Sequence, residues 1–165
     1  FIKLFPHFET EKKEKFKKTN TNKTNIQKSS TKIKQLKEIF SKSNSFEIIN
    51  AFLSNIVACI DKNRDEKEIK FIINRFKLSN EDQKIIKSLS SSLNSKKLKQ
   101  TFGDIADFYD YDLNILQGLI ENMFFVGSLD GLLDKDEIEI ISLVSKEFGI
   151  NQNSLKKIKA NYISQ

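Results

Sequence analysis

Six carboxylates lie in two copies of one motif, and they are the strongest candidates for special chemistry in this sequence. Each copy reads Asp-x-x-x-Asp-x-x-Glu-Ile, and the second copy begins 69 positions after the first. The six residues are Asp61, Asp65, Glu68, Asp130, Asp134 and Glu137. Carboxylate oxygens are the ligands that hard cations prefer. One hypothesis is therefore a Ca²⁺ or Mg²⁺ site built from both copies.

Helix capping is the simpler interpretation of four of these residues. Asp65 and Glu68 have the spacing of a capping box, as do Asp134 and Glu137. In such a box each side chain accepts a hydrogen bond from the backbone N–H of the other residue. A cap of this kind contributes about 0.5–2 kcal/mol. We therefore expect both pairs to begin helices, with or without a metal.

The capping box does not explain Asp61 and Asp130. Each ends an apolar helix, where the helix dipole is negative and a carboxylate is mildly unfavourable. Because the mismatch occurs twice, it favours a role as a cap for the next helix, as a partner for lysine or as a cation ligand. The loops are not EF-hands: Glu66 stands where Gly is required, and Ile72 where Glu is required. In the second loop Leu132 occupies a liganding position.

A second group combines acidic and aromatic side chains within eight positions. Its members are Asp104, Asp107, Tyr109, Asp110 and Tyr111. Helix ends that face solvent would explain the carboxylates. The alternative hypothesis is a surface for a protein partner, since tyrosine is enriched at the centres of such interfaces.

The sequence offers little for covalent catalysis. Its only histidine, His7, lies in the N-terminal segment, so no His-based triad or zinc site is available to the helical part. Cys59 has apolar neighbours, which is typical of a buried thiol. The five glycines are scattered singly and form no phosphate-binding loop. We predict that the chain is not an enzyme.

Charge and composition divide the chain into two parts. Residues 1–45 carry twelve lysines and four acidic residues, a net charge of +8, whereas residues 46–165 have a net charge of −2. For residues 1–31 we predict a flexible basic tether, because few of their side chains could be buried. Its lysines would suit an anionic membrane surface. The absence of arginine and the scarcity of aromatic residues disfavour specific nucleic-acid binding.

Helical periodicity dominates residues 32–165, which are long enough for one domain. The spacing predicts an all-α bundle of about seven helices and no strands. We expect helix starts at Asn80, at Asp110 or Asp112, and at Asn151, and a glycine cap at Gly149. The helix after Asp112 is apolar nearly all round, so it should lie at the buried centre. The single cysteine fits a reducing compartment, and we expect a cytoplasmic location.

Residues 119–137, followed by Phe148-Gly149-Ile150, resemble the TerB-like (tellurite-resistance) domain, in particular the version found in DjlA-type DnaJ-like co-chaperones. The shared pattern is an apolar helix that ends in a small residue and Asp-Gly, an acidic helix start and a closing Gly-Ile cap. The first copy has Lys62 where the family has Gly. The resemblance covers residues 46–163.

The resemblance implies a compact helical bundle with internal pseudo-symmetry. It also implies a non-catalytic regulatory or protein-interaction module of a membrane-tethered co-chaperone. Such proteins carry a membrane anchor before this domain and a J-domain, which stimulates Hsp70, after it. No His-Pro-Asp triplet occurs in residues 1–165, so we expect the J-domain beyond Gln165 and the inner-membrane anchor before Phe1. The alternative is a metal-binding or stress-responsive TerB-type domain that uses the paired acidic loops.

Overall fold

The computed structural model describes residues 33–60 and 66–163. These residues form eight helices and no strand, which confirms the all-α prediction with one helix more than expected. The helices are α1 (Lys34–Phe40), α2 (Ser45–Ile60), α3 (Glu66–Arg75), α4 (Asn80–Ser92), α5 (Ser95–Phe108), α6 (Leu113–Gly127), α7 (Lys135–Glu147) and α8 (Gln152–Ile163). The predicted tether, residues 1–31, lies outside the described residues.

Local capping determines where most of these helices begin. Ser79, rather than Asn80, caps α4: its hydroxyl accepts from the N–H of Asp82, and the Asp82 carboxylate accepts from the N–H of Ser79. Asp112 caps α6 and Asn151 caps α8, as expected. The prediction of Asn80 was wrong by one position because serine and asparagine are both good caps.

Helices α2 and α6 form the centre of the molecule. They pack against each other along their length. Asn122 donates to Asn50 at 2.8 Å, and Val57 lies against Gly127 further along, so the two helices run in the same direction. The side chains of Leu119, Ile120, Met123 and Phe124 are no more than 1% exposed. This confirms that α6 is the buried central helix.

The two motif copies form corresponding helix pairs. Helix α3 packs on α2, and α7 packs on α6. Ile72 and Ile141, which occupy matching positions in the repeat, are both buried. Residues 61–65, which join α2 to α3, lie outside the described residues. The order of helices and their burial agree with two related units whose first helices pack together.

Helix α1 closes one side of the bundle. Leu36 and Ile39 are completely buried, a burial that stabilises the fold by about 1.5–3 kcal/mol per side chain. At the end of α1 the Phe40 ring stacks on Phe108 of α5, with centroids 4.2 Å apart. The C-terminal end of α1 therefore lies close to the C-terminal end of α5. No helix in the described ranges combines the length and hydropathy needed to cross a bilayer.

Candidate functional site

The second acidic loop is a capping box. Asp134 Oδ1 accepts from the N–H of Glu137, and Glu137 Oε2 accepts from the N–H of Asp134, both at 2.8 Å. Glu137 is only 6% exposed. This confirms the capping prediction for the second copy. One oxygen atom of each carboxylate is therefore used in starting α7.

The other proposed metal ligands are spread between the surface and the undescribed loop. Asp130 is exposed, Glu68 is partly exposed, and Asp61 and Asp65 lie outside the described residues. Within residues 33–60 and 66–163, no three His, Cys, Asp or Glu side chains come together as a metal site would require. The six-carboxylate Ca²⁺ or Mg²⁺ site thus remains a prediction.

Residues 107–113, which connect α5 to α6, form an exposed surface that we call the acidic–aromatic turn. Asp107, Asp110 and Tyr111 are exposed there, and Tyr109 is partly buried. Asp104 lies one helical turn earlier and is only 8% exposed. Asp104 is therefore part of the packed body rather than of an accessible surface, unlike the other members of its predicted group.

The backbone of the acidic–aromatic turn is unusual. Asp110 and Tyr111 both adopt positive φ, at 50° and 55°. Left-handed backbone costs a non-glycine residue about 1–2 kcal/mol. The strain is held by hydrogen bonds from Tyr111 N–H to Ala106 O at 2.9 Å and from Asp112 N–H to Tyr109 O at 2.9 Å. A strained conformation retained at a solvent-exposed tip is a feature associated with functional sites.

Aromatic rings connect the turn to α1 and α2. Tyr109 meets Phe108 at a centroid distance of 4.9 Å and Phe46 of α2 at 6.2 Å, both edge-on. Burial, together with the negative charge of Glu47, raises the pKa of Tyr109 to about 12, so this phenol stays protonated at neutral pH. Its hydroxyl oxygen is buried and has no hydrogen-bond partner among the described residues.

Apolar side chains also reach the surface here. Among the described residues five large hydrophobic side chains are exposed, and three of them lie on or beside the acidic–aromatic turn: Phe46 at 41%, Tyr111 at 50% and Leu113 at 51%. Sequence reasoning missed Phe46 and Leu113. Each belongs to a helix that is mostly apolar, so no local signal separated these exposed positions from the core.

The sequence on both sides of the turn carries acidic residues and no basic ones. Residues 100–134 contain seven acidic residues and no lysine or arginine. Helix α2, which supplies Phe46, also lacks basic residues and carries Glu47. Exposed carboxylates within about 10 Å of one another act together at physiological salt. The arrangement offers aromatic contact area inside a negative field, which suits a basic and partly apolar partner.

A family model described as "Tellurite resistance protein TerB" matches residues 47–160, which is more than half of the chain. The match agrees with the resemblance drawn from residues 46–163. Searches of curated proteins and of solved structures found no match to this chain.

Proposed function

Because the chain belongs to the TerB family, we propose that its helical body is a non-catalytic module that binds a protein partner through the acidic–aromatic turn. The observation that carries the proposal is the left-handed pair Asp110 and Tyr111, which presents an exposed aromatic ring at a rigid tip. A preorganised loop loses little conformational entropy when it binds, so more of the contact energy remains as affinity.

The contact surface has the composition of an interface centre with a charged rim. Tyr111, Phe46 and Leu113 supply exposed apolar area. Asp107, Asp110 and Asp112 belong to the same turn and add negative charge to it. Aromatic residues carry most of the energy in known interfaces, whereas rim charges choose the partner and speed its approach. We therefore assign a lysine- or arginine-rich protein segment as the partner class.

Photo-crosslinking in cells tests this assignment. Tyr111→p-benzoylphenylalanine should give a discrete adduct with one protein, whereas the same substitution at Lys87, an exposed residue of α4, should not. The adduct supports the proposal when a basic segment of the captured protein binds the purified chain and Asp110→Asn weakens that binding. Equal adducts from both positions would refute it.

We further propose that this module belongs to a membrane-tethered DnaJ-like co-chaperone on the cytoplasmic side of the inner membrane. The resemblance to DjlA-type proteins and the lysine-rich residues 1–31 support this context. Hsp70 would be engaged by a J-domain outside this chain, and the lysines would lie against anionic lipid.

The complete reading frame tests the co-chaperone proposal. It should encode a hydrophobic span before Phe1 and a His-Pro-Asp triplet beyond Gln165, and the whole protein should stimulate Hsp70 ATPase activity. A reading frame without the triplet would exclude this context while leaving the interaction module intact. Sedimentation with phosphatidylserine vesicles tests the lipid contact, since deleting residues 1–31 should abolish co-sedimentation.

A second candidate function is a metal-linked stress response, which the tellurite-resistance description of the matching family favours. The six carboxylates of the two acidic motifs would be its ligands. Calorimetry with Ca²⁺ and Mg²⁺ tests it, with Asp130→Asn as the ligand variant and Asp107→Asn as the charge-matched control. If millimolar Ca²⁺ or Mg²⁺ produces no heat of binding and no shift in melting temperature, the metal-linked function is excluded and only the protein-interaction proposal remains.

A further inference from the structure

We infer that a second face of the molecule, centred on Arg75, binds an acidic segment of a protein partner through its carboxylates. We call this face the arginine platform, and it is formed by Phe71 and Arg75 of α3, Asn122 and Phe125 of α6, and Tyr162 of α8. The inference goes beyond the proposed function, because Asn122 lies nine residues after Leu113 and therefore about 13 Å along α6 from the acidic–aromatic turn.

Aromatic rings hold the guanidinium of Arg75 in place. Its Cζ atom lies 4.8 Å from the ring centroid of Phe125 and 6.0 Å from that of Phe71. Nη2 donates to Asn122 Oδ1 at 3.3 Å. Arg75 is nevertheless exposed to solvent. Because a guanidinium carries five N–H donors in a planar fork, donors remain for a carboxylate that approaches from solvent.

The residue that orients Arg75 is itself fixed by buried groups. Asn122 Nδ2 donates to Asn50 Oδ1 at 2.8 Å. Asn50 is only 1% exposed, and its own Nδ2 donates to Phe46 O at 3.1 Å. The guanidinium is thus positioned by a continuous chain of hydrogen bonds across α6 and α2. A donor that is already oriented loses little conformational entropy when it binds.

The choice of arginine at this position matches a carboxylate ligand. The chain contains 26 lysines and two arginines, so lysine is its usual cation. A lysine at position 75 would supply the same charge as a mobile point. Arginine instead stacks on aromatic faces and presents two parallel N–H groups, a geometry that fits the two oxygen atoms of a carboxylate.

The internal repeat indicates that this face of α3 is left uncovered. The positions that match Phe71 and Arg75 in the second copy are Ile140 and Val144, which are 3% and 0% exposed. Helix α7, which carries them, packs on α2, α5 and α6. Among the described helices, α3 packs closely on α2 alone. A face that is covered in one copy is therefore open in the other, and a partner segment would cover it.

The charges on the platform favour a carboxylate over a phosphate. Burial, followed by the negative charge of Glu121, raises the pKa of the Tyr162 phenol, and Arg75 opposes that shift. These three side chains therefore share one surface. Arg75 is also the last residue of α3, where the helix dipole is negative. A phosphate dianion beside a helix C-terminus and a carboxylate is repelled, whereas a single carboxylate is balanced by the guanidinium.

Basic and aromatic groups complete the surface. Lys77 is exposed just beyond the end of α3, and Lys159 is partly exposed one helical turn before Tyr162. The rings of Phe71, Phe125 and Tyr162 are only partly buried. The partner segment should therefore place an apolar side chain next to its acidic residues, since the rings provide contact area and the cations choose the sign of the charge.

The Nε–H signal of Arg75 in the ¹⁵N-labelled full chain tests the inference, and its loss in Arg75→Lys assigns it. The peptide acetyl-Asp-Phe-Glu-Phe-Asp-amide should shift this signal to saturation, whereas acetyl-Asn-Phe-Gln-Phe-Asn-amide should shift it by less than a fifth as much. Equal responses to the two peptides, or none to the acidic one, would overturn the inference. A larger response to inorganic phosphate than to the acidic peptide would overturn the choice of carboxylate.

Three variants separate the guanidinium fork from charge alone, with the affinity for the acidic peptide read from backbone amide shifts of the platform. Arg75→Lys keeps the charge and should weaken binding at least fivefold. Lys87→Ala removes an exposed charge from α4 and should leave the affinity within twofold. Unchanged affinity in Arg75→Lys, or an equal loss in both variants, would refute the role of the fork.

The third variant, Glu121→Gln, leaves the packing of Arg75 in place, because Glu121 is exposed. It removes a negative charge from the platform and should strengthen binding of the acidic peptide about twofold. Weaker binding in this variant would contradict the inference even if Arg75→Lys failed to fold.

Discussion

Asp82 holds the α1–α2 connection against the start of α4, so replacing it tests how the end of α1 is anchored. Its side chain is buried, and Oδ2 accepts from Ser79 N–H and from Asn44 Nδ2, each at 3.1 Å. Lys42 Nζ lies 3.3 Å from Oδ1. Two hydrogen bonds to a buried carboxylate contribute about 1.5 kcal/mol each, and the ion pair adds a smaller amount. Asp82→Ala should therefore lower the free energy of unfolding by about 3 kcal/mol.

Urea denaturation followed by circular dichroism measures this change in the free energy of unfolding. Thermal denaturation should show a fall in melting temperature of about 10 °C. The matched control is Glu81→Ala. Glu81 lies 3.7 Å from the same Lys42 nitrogen, but its side chain is 73% exposed, so it should cost less than about 0.5 kcal/mol. Similar losses from the two variants would refute the reasoning, because burial and the number of donors would then not decide the effect.

The pH dependence gives an independent check on Asp82. Burial alone would raise the pKa of its carboxyl, but the donors from Ser79, Asn44 and Lys42 outweigh burial and lower the pKa below that of an ordinary aspartate. A folded-state pKa below the unfolded value stabilises the fold at pH above the unfolded pKa, and this stabilisation is lost as pH falls through the folded pKa. The stability difference between the native chain and Asp82→Asn should thus stay constant from pH 7 to about 5 and shrink below pH 4. A difference that grows on acidification would contradict the assignment.

Five further predictions concern single positions. Tyr111→Gly should relieve left-handed strain and raise the unfolding free energy by up to about 1 kcal/mol, yet weaken partner binding; a loss of stability would contradict the strain. Ser54→Ala should be neutral or stabilising, because this buried hydroxyl has no hydrogen-bond partner among the described residues. Ser145→Ala, which removes a 2.8 Å bond to a backbone carbonyl, should cost about 1 kcal/mol. Gly118→Ala should add about 0.5–1 kcal/mol in mid-helix, where nothing lies within 4 Å. Gly127→Val should instead cost about 1–3 kcal/mol, because an added side chain would overlap a leucine of the next loop. Thermal denaturation measures all of these.

The helices and their caps could largely be predicted because they depend on local physics. Asp134 and Glu137 show the capping box that their spacing indicates. Gly149 takes φ 73° just past the end of α7, where Ile150 N–H reaches Ser145 O at 3.0 Å. Both results follow from residues fewer than six positions apart, which is the range over which single-sequence reasoning is strong.

The surface was harder to predict because it depends on which side of each helix faces the neighbouring helices. Phe46 and Leu113 look like core residues in the sequence but are exposed, whereas Asp104 looks like a surface residue but is buried. The contact between Phe40 and Phe108 joins residues 68 positions apart. Tyr111 carries no residue-type signal for positive φ, because tyrosine rarely adopts it.

A chemical-shift titration tests most directly whether the acidic–aromatic turn is a binding surface. The ¹⁵N-labelled full chain is titrated at low salt with a synthetic peptide of four lysines around one phenylalanine. The largest shifts should fall on residues 107–113 and on Phe46. They should weaken at least fivefold in Asp107→Asn with Asp110→Asn and stay within twofold in Asp130→Asn with Glu139→Gln. Shifts spread evenly over the body, or equal weakening in both variants, would contradict the account.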